Sequence, residues 1–377
     1  MIKVGIVTVY TNINYGSKLQ SYALQKVLKM IGVDKAENLL VDKDIAHDSW
    51  CVIIKRIIKN SLKTVLASFG YKGTIIGASI LRDKFVDFRK HYISESKYTP
   101  SQITLRRKRG IVDYDYYICG SDQIWAPNQF HEEYFLGFID EPSIKISYAT
   151  SIGLPLIPDS LKEKYKNLIE GIAHVSMREK EGALLVEQVT EGRKVPVVLD
   201  PTLLLPPPLW SDIKKDYVVN QRYILCLFLG ENETYREWVE TLKQKTGFTI
   251  LTLPLRTWDY QYGDKQCFDV GPQEFLSLVE KAEYICTDSF HGMAFSVNYN
   301  KPFFVFLRFK EDDSICQNSR IFNLIDSLNL RNRLVDDFSR DIDYYISQSI
   351  DWKYVNGKLY EMREFSLNYL KSALGLR

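Results

Sequence analysis

The sequence predicts an α/β protein of two Rossmann-like, doubly wound domains facing each other across a cleft. Three observations predict it. Short apolar runs of strand length alternate with segments of helical period through most of the 377 residues. Several of those runs stop at a glycine or a polar residue just before a helix begins. The pattern then restarts after one proline-rich stretch, L-L-L-P-P-P-L-W from Leu203 to Trp210, which places the domain boundary there. The expected division is residues 1–205, residues 206–345 and a helical tail over 346–377, with a basic insert at about 51–109 in the first domain.

The opening segment, Ile2 to Val9, is continuously apolar, as a strand covered on both faces should be. A polar turn with Asn12, Asn14 and Gly16 follows, then a helix from about Ser17 to Met30 that Gly32 stops. Strands are expected at Tyr114–Cys119, Lys145–Thr150, Ala173–Met177 and Val195–Leu199, with helices from Asp159 and after Arg178. Past the boundary, strands are expected at Tyr223–Leu229, Thr249–Leu253, Tyr284–Thr287 and Phe303–Leu307. Helices fall at Glu233–Thr246, Pro272–Lys281, His291–Tyr299, Arg320–Leu328 and Tyr354–Leu374.

The insert differs in character. Nine lysines and arginines fall between residues 51 and 90, interleaved early with Val52, Ile53, Ile54, Ile57, Ile58 and Leu62. Such a basic amphipathic helix suits an anionic membrane surface, and equally suits packing on its own domain with the basic face solvated. The cluster Arg106–Arg107–Lys108–Arg109 reads as a solvated loop, too short to argue for nucleic acid.

Composition narrows the function classes. A net charge of +2 does not make the whole chain a polyanion binder. None of the six cysteines forms a C-x-x-C pair, so neither a zinc knuckle nor a redox dithiol is indicated. Cys119, Cys226 and Cys286 lie inside apolar runs, which favours buried thiols and a reducing compartment. No apolar run approaches 18 residues, and Met1–Tyr10 reads as a first strand rather than an export signal. A cytoplasmic enzyme is the default expectation. The 24 tyrosines suit sugar clefts, where a ring stacks and its hydroxyl bonds.

No G-x-S-x-G elbow, H-E-x-x-H pair, phosphate-binding P-loop, kinase set or G-x-G-x-x-G is present, and no metal site is expected. The candidates are groups at strand ends: Asn14 and Gly16, Ser121 and Asp122, Arg178, and Asp288 with His291. An arginine opening a helix at a strand end is a natural anchor for phosphate or carboxylate. Histidine is the natural proton carrier at neutral pH. A plainer reading has Asp288 or Ser289 capping a helix whose first turn His291 fills. A basic anchor in one domain and a histidine in the other suggest a group transferase with an anionic donor.

Six stretches together carry a family resemblance. They are N-Y-G-S-K-L-Q-S-Y-A-L-Q from Asn14, C-G-S-D-Q-I-W from Cys119, S-Y-A-T-S-I-G from Ser147, V-S-M-R-E-K from Val175, L-D-P-T-L-L-L from Leu199 and T-D-S-F-H-G-M-A-F-S from Thr287. In that order the sequence resembles the polysaccharide pyruvyl transferase family over roughly residues 1–330. The resemblance implies a fold like the GT-B glycosyltransferases. It implies ketal transfer of a pyruvyl group from phosphoenolpyruvate to a sugar of a cell-surface polysaccharide or its lipid-linked precursor. No further cofactor is implied, and a lipid-linked acceptor would bring a cytoplasmic protein to the inner membrane face. By resemblance Arg178 anchors the donor and His291 is the general acid/base. Many family members carry an arginine two positions before that histidine, where this chain has Ser289. Arg308, Lys310 or Arg320 could supply the missing charge, Arg320 first. The expected donor set is Asp288, Ser289, Arg308 and Arg320, and the expected acceptor set is Asn14, Tyr15, Gly16, Ser121, Asp122 and Gln123. A nucleotide-sugar glycosyltransferase of the same fold and a non-catalytic sugar-binding relative remain alternatives.

Overall fold

Uninterrupted apolar strands need cover on both faces, and both sheets of the protein are wholly parallel with helices between their strands. The computed structural model describes residues 1–41, 72–310, 313 and 316–376. The segment 51–66, the core of the expected basic helix, lies outside the described residues.

The first sheet has the order β2-β1-β3-β4. Its strands are β1 (Lys3–Val7), β2 (Lys35–Asn38), β3 (Tyr116–Cys119) and β4 (Lys145–Ser147). Between them run α1 (Tyr15–Met30), α2 (Lys72–Tyr92) and α3 (Pro100–Lys108). Sequence periodicity misses β2 because K-A-E-N offers no apolar alternation; backbone pairing with β1 creates it. The basic cluster near Arg106 is not a loop. It forms the last turn of α3, which starts on a Thr99–Gln102 capping box. Cations suit a helix C-terminus, and Arg106 also makes a bidentate pair with Asp113 at 2.8 and 2.7 Å.

Beyond β4 the sheet continues only as isolated parallel bridges at His174, Met177 and Val197, so the strands expected at 173–177 and 195–199 are largely irregular. Backbone bonds such as Ser147 N to His174 O and Met177 N to Pro196 O persist there, and hydroxyls add to them. Ser147 and Thr150 reach the Ser176 carbonyl at 3.0 and 3.2 Å, and Ser176 Oγ accepts from the Ala149 amide at 3.2 Å. The helices α4 (Asp159–Glu170), α5 (Lys180–Val189), α6 (Pro201–Leu204) and α7 (Pro207–Trp210) complete this half.

The second sheet has the order β10-β9-β8-β5-β6-β7. It comprises β5 (Tyr223–Leu227), β6 (Thr249–Thr252), β7 (Lys265–Gln266), β8 (Tyr284–Thr287), β9 (Phe303–Phe306) and β10 (Leu334–Val335). Its helices are α8 (Glu233–Thr246), α9 (Pro272–Lys281), α10 (Phe290–Asn298), α11 (Ser319–Ser327) and α12 (Ile342–Ser347). The final helix α13 (Trp352–Ala373) crosses back. Its Tyr369 hydroxyl donates to the Ser147 carbonyl at 2.9 Å, and its Arg363 donates to Leu203 O and Asn298 Oδ1.

A single apolar core joins the two halves, running from Val4 and Ile6 through α1 and α10 to Leu374. Tyr15, at the start of α1, stacks on Phe275 of the second half at 4.8 Å, and its hydroxyl donates to the Val270 carbonyl at 2.8 Å. The halves are therefore fastened on the α1 side, and their strand ends face each other across the rest of the cleft. In open parallel sheets those carboxyl ends are the ligand side.

The buried Leu199 amide donates to Ser366 Oγ of α13 at 3.0 Å. Ser366→Ala leaves that amide without its partner and should cost about 1–3 kcal/mol. A lowered urea midpoint at unchanged slope is the expected reading.

Candidate active site

Arg178 and Asp200 form a buried ion pair where the first sheet ends, 3% and 1% exposed, with Nη1 and Oδ2 2.9 Å apart. Both follow irregular bridge strands, so the chain can turn both side chains inward. The same Asp200 oxygen lies 2.9 Å from Ser121 Oγ and 3.5 Å from Nε2 of His291. Its other oxygen accepts from the Thr202 amide and hydroxyl at 3.0 and 2.8 Å. Burial works against the Asp200 charge, yet His291, Arg178 and the Thr202 amide outweigh it and hold the carboxyl well below its ordinary range.

His291 arrives from the other half, in the first turn of α10. Ser289 caps that helix, accepting from the Gly292 amide at 3.4 Å, so the plain capping expectation holds alongside the contact with Asp200. The imidazole lies directly against Gly16: a Cβ there would sit 2.0 Å from His291 Nδ1. Glycine at 16 is required by this close approach of side chain to backbone. Asp288 points away from His291. Its two oxygens accept from the Leu229 and Gly230 amides, each at 2.7 Å. Burial pushes its carboxyl up, against the pull of Arg308.

The remaining acidic and amide groups line the first-half lip. Asp122, whose φ of 78° is left-handed, accepts from Ser17 Oγ at 3.0 Å and from the Gln123 amide at 2.9 Å. Arg178 Nη2 stands 3.7 Å from it. Burial disfavours the Asp122 charge, but Arg178, His291 and Arg320 hold its carboxyl below the ordinary value. Asn14 caps α1 by accepting from the Ser17 amide. Tyr15 is sealed in the joint between the halves, and Gln123 Nε2 reaches across to Gln317 Oε1 at 3.0 Å.

The arginines are short of partners. Arg178 lies 4.6 Å over the Phe290 ring, and among the described residues its Nε and Nη2 have no hydrogen-bond acceptor, nor does His291 Nε2 or Arg308 Nε. Among the described residues Arg320, 7% exposed, donates only to Gln317, through its carbonyl and side chain. Burial and the like charges of Arg178 and Arg308 push the Arg320 guanidinium down to about 9. Crowded, desolvated cations with open donors are complementary to an anion. Among the described residues no cluster of His, Cys, Asp and Glu is placed to hold a metal ion. No described helix is long and apolar enough to cross a membrane.

The family model for polysaccharide pyruvyl transferase matches residues 14–308. The chain belongs to this family. It is a transferase enzyme, and every residue of the site up to Arg308 lies within the matched span. No individual curated protein matches the pyruvyl transferase. Solved structures resemble it in fold. An S. aureus protein, MnaA, solved with UDP, matches at 13% identity over 100% of this chain and 98% of that one, with a TM-score of 0.51. A Listeria monocytogenes protein described as a UDP-N-acetylglucosamine 2-epimerase matches at 13% identity over 99% and 96%, with a TM-score of 0.50. The pyruvyl transferase has the GT-B-like architecture of two Rossmann-like domains about a cleft.

Three residues of the site were not singled out from sequence. Asp200 and Glu179 stand at strand ends inside the quoted stretches L-D-P-T and M-R-E-K, which was the available signal. Asn323 gave none. Its side chain accepts from the Lys180 amide at 3.3 Å and donates to the Arg178 carbonyl at 3.2 Å, docking α11 onto the first half.

Replacing Asp200 by Asn leaves Arg178 buried without its counter-charge, which should cost about 3–5 kcal/mol near neutrality. Because the folded carboxyl titrates below its unfolded value of about 3.9, this advantage of the natural protein is fully present above about pH 4 and drains as pH falls further. Denaturation of both proteins from pH 3 to 8 measures it. Gly16→Ala should expel the His291 ring from its seat, visible as loss of turnover together with a lowered melting temperature from an overpacking cost of about 1–3 kcal/mol.

Proposed function

We propose that this pyruvyl transferase moves the pyruvyl group of phosphoenolpyruvate onto two hydroxyls of a sugar, forming a ketal on a cell-surface polysaccharide or its lipid-linked precursor. One observation carries the reading: among the described residues Arg178 and Arg308 have unpartnered nitrogens and Arg320 donates only to Gln317, and these cations converge from both domains with His291, whose Nε2 lies 3.5 Å from Asp200. Phosphoenolpyruvate bears a phosphate and a carboxylate, so one small donor answers several cations at once. Arg320 and Arg308 supply the charge that Ser289 cannot.

In the proposed reaction the methylene carbon of the donor takes a proton, and one sugar hydroxyl attacks the central carbon. A second hydroxyl then displaces the phosphate. Two hydroxyl protons are released; one ends on the new methyl group and one on phosphate. His291 gives the proton to carbon and recovers it from the attacking hydroxyl, with Asp200 fixing the ring. Asn14, Asp122 and Gln123 edge the first-half lip where an acceptor would lie, and Ser121, fully buried, supports Asp200 beneath it. Tyr15 and Gly16 act by shaping that lip, and Asp288 and Ser289 by setting the turn that carries His291. A lipid-linked acceptor would place the protein at the cytoplasmic membrane face.

The test supplies phosphoenolpyruvate with a panel of sugar acceptors and measures phosphate. Release that requires acceptor is expected, and His291→Ala or Arg178→Ala should each lower turnover at least about a hundredfold. Turnover of UDP-sugars instead, with no phosphate release, would establish the glycosyltransferase alternative that the shared fold allows.

A further inference from the structure

The reaction proposed above moves two protons, and His291 carries one. We infer that Glu179 carries the other: its Oε2 gives a proton to the phosphate as the carbon–oxygen bond to phosphate breaks and recovers one from the second sugar hydroxyl. The inference rests on the phosphoenolpyruvate reading.

Glu179 divides its two oxygens between different tasks. It is 1% exposed. Oε1 accepts from Ser151 Oγ at 2.9 Å and from the Ile152 and Gly153 amides at 3.1 and 3.2 Å, which ties down the loop after β4. Among the described residues Oε2 has no hydrogen-bond partner; it stands 3.9 Å from Arg178 Nε, likewise unpartnered. A buried carboxylate oxygen left open beside an open guanidinium nitrogen needs a reason.

A phosphate supplies one. A phosphate oxygen accepting from Arg178 Nε at about 2.8–2.9 Å on the side that faces Glu179 would also come within hydrogen-bond reach of Oε2, 3.9 Å from that nitrogen. Two anionic oxygens at that range repel unless a proton lies between them. Burial pushes the Glu179 carboxyl up despite the pull of Arg178 and Arg320, the direction a proton carrier needs. The other two carboxylates cannot share this task. Asp200 and Asp122 each have both oxygens engaged and are held as anions by the surrounding cations. Environments that drive neighbouring carboxyls apart in this way separate fixed charges from proton carriers.

Glu179→Gln retains an oxygen for Ser151, Ile152 and Gly153 and loses the exchangeable proton. Expected is a fall in kcat for phosphate release of about a hundredfold, with phosphoenolpyruvate affinity by equilibrium dialysis within about threefold of the natural protein. Glu179→Ala should lose activity as well. A Gln variant with full kcat beside an inactive Ala variant overturns the inference and leaves Glu179 as a loop anchor. A Gln variant that loses donor affinity as much as kcat overturns it too. Should the Gln variant not fold, the natural enzyme in mixed light and heavy water decides: a curved dependence of kcat on deuterium fraction is expected, and a straight line overturns the inference. A natural enzyme that neither binds phosphoenolpyruvate nor releases phosphate from it overturns the donor reading itself, whatever the variants do.

Discussion

The buried pair of Arg178 and Asp200 is the interaction on which the rest of the site depends. Removing two charges from water is expensive, and the cost is offset only when every lone pair and N–H near them has a use. Asp200 meets that condition by collecting Arg178, Ser121, Thr202 and, from the opposite half, His291. Arg178 does not meet it, since two of its nitrogens stay open. One partner is fully satisfied and the other half satisfied, so the pair presents directed positive charge to the cleft while staying rigid.

That imbalance extends outward. Arg320 and Arg308 add charge from the second half, and the arginines destabilise one another where no anion lies between them. The electrostatics are thus prepared for a ligand before it arrives, which is how preorganised sites gain their strength. The acidic groups limit the effect without cancelling it. Asp122 and Asp200 fix positions, Asp288 clamps the Leu229–Gly230 turn, and Glu179 faces the cations with one oxygen uncommitted.

Much of this architecture was legible in the sequence. Tyr284–Thr287 and Pro272–Lys281 fell where periodicity put them, because a strand with apolar faces and a helix with a proline start carry their own signals. The strand-end positions of Arg178 and His291 were legible for the same reason. The failures have physical causes. The Lys35–Asn38 strand exists through backbone pairing that its side chains do not announce. The 173–177 and 195–199 runs look like strands, but they pair with their neighbours only through isolated bridges, a tertiary outcome their side chains do not announce. The basic turn at Arg106 looked like a loop because charge hides a capping box that begins at Thr99. Asp200 was visible only as part of a motif, since the value of a carboxylate that touches three distant residues is a property of the fold.

The first two residues of α1 carry one more consequence. Tyr15 is bonded to the second half, and Gly16, its neighbour, is the surface on which His291 rests. The histidine and its seat are therefore bolted together on the hinge side, whereas Gln123 with Gln317 and Asn323 with the 178–180 backbone bridge the opposite rim through neutral amides. If the halves part to admit a bulky acceptor, the amide rim is the seam that gives, carrying Arg320 away from Arg178 while the histidine stays seated. Opening would then separate Arg320 from Arg178 and leave the contact of His291 with Gly16 in place.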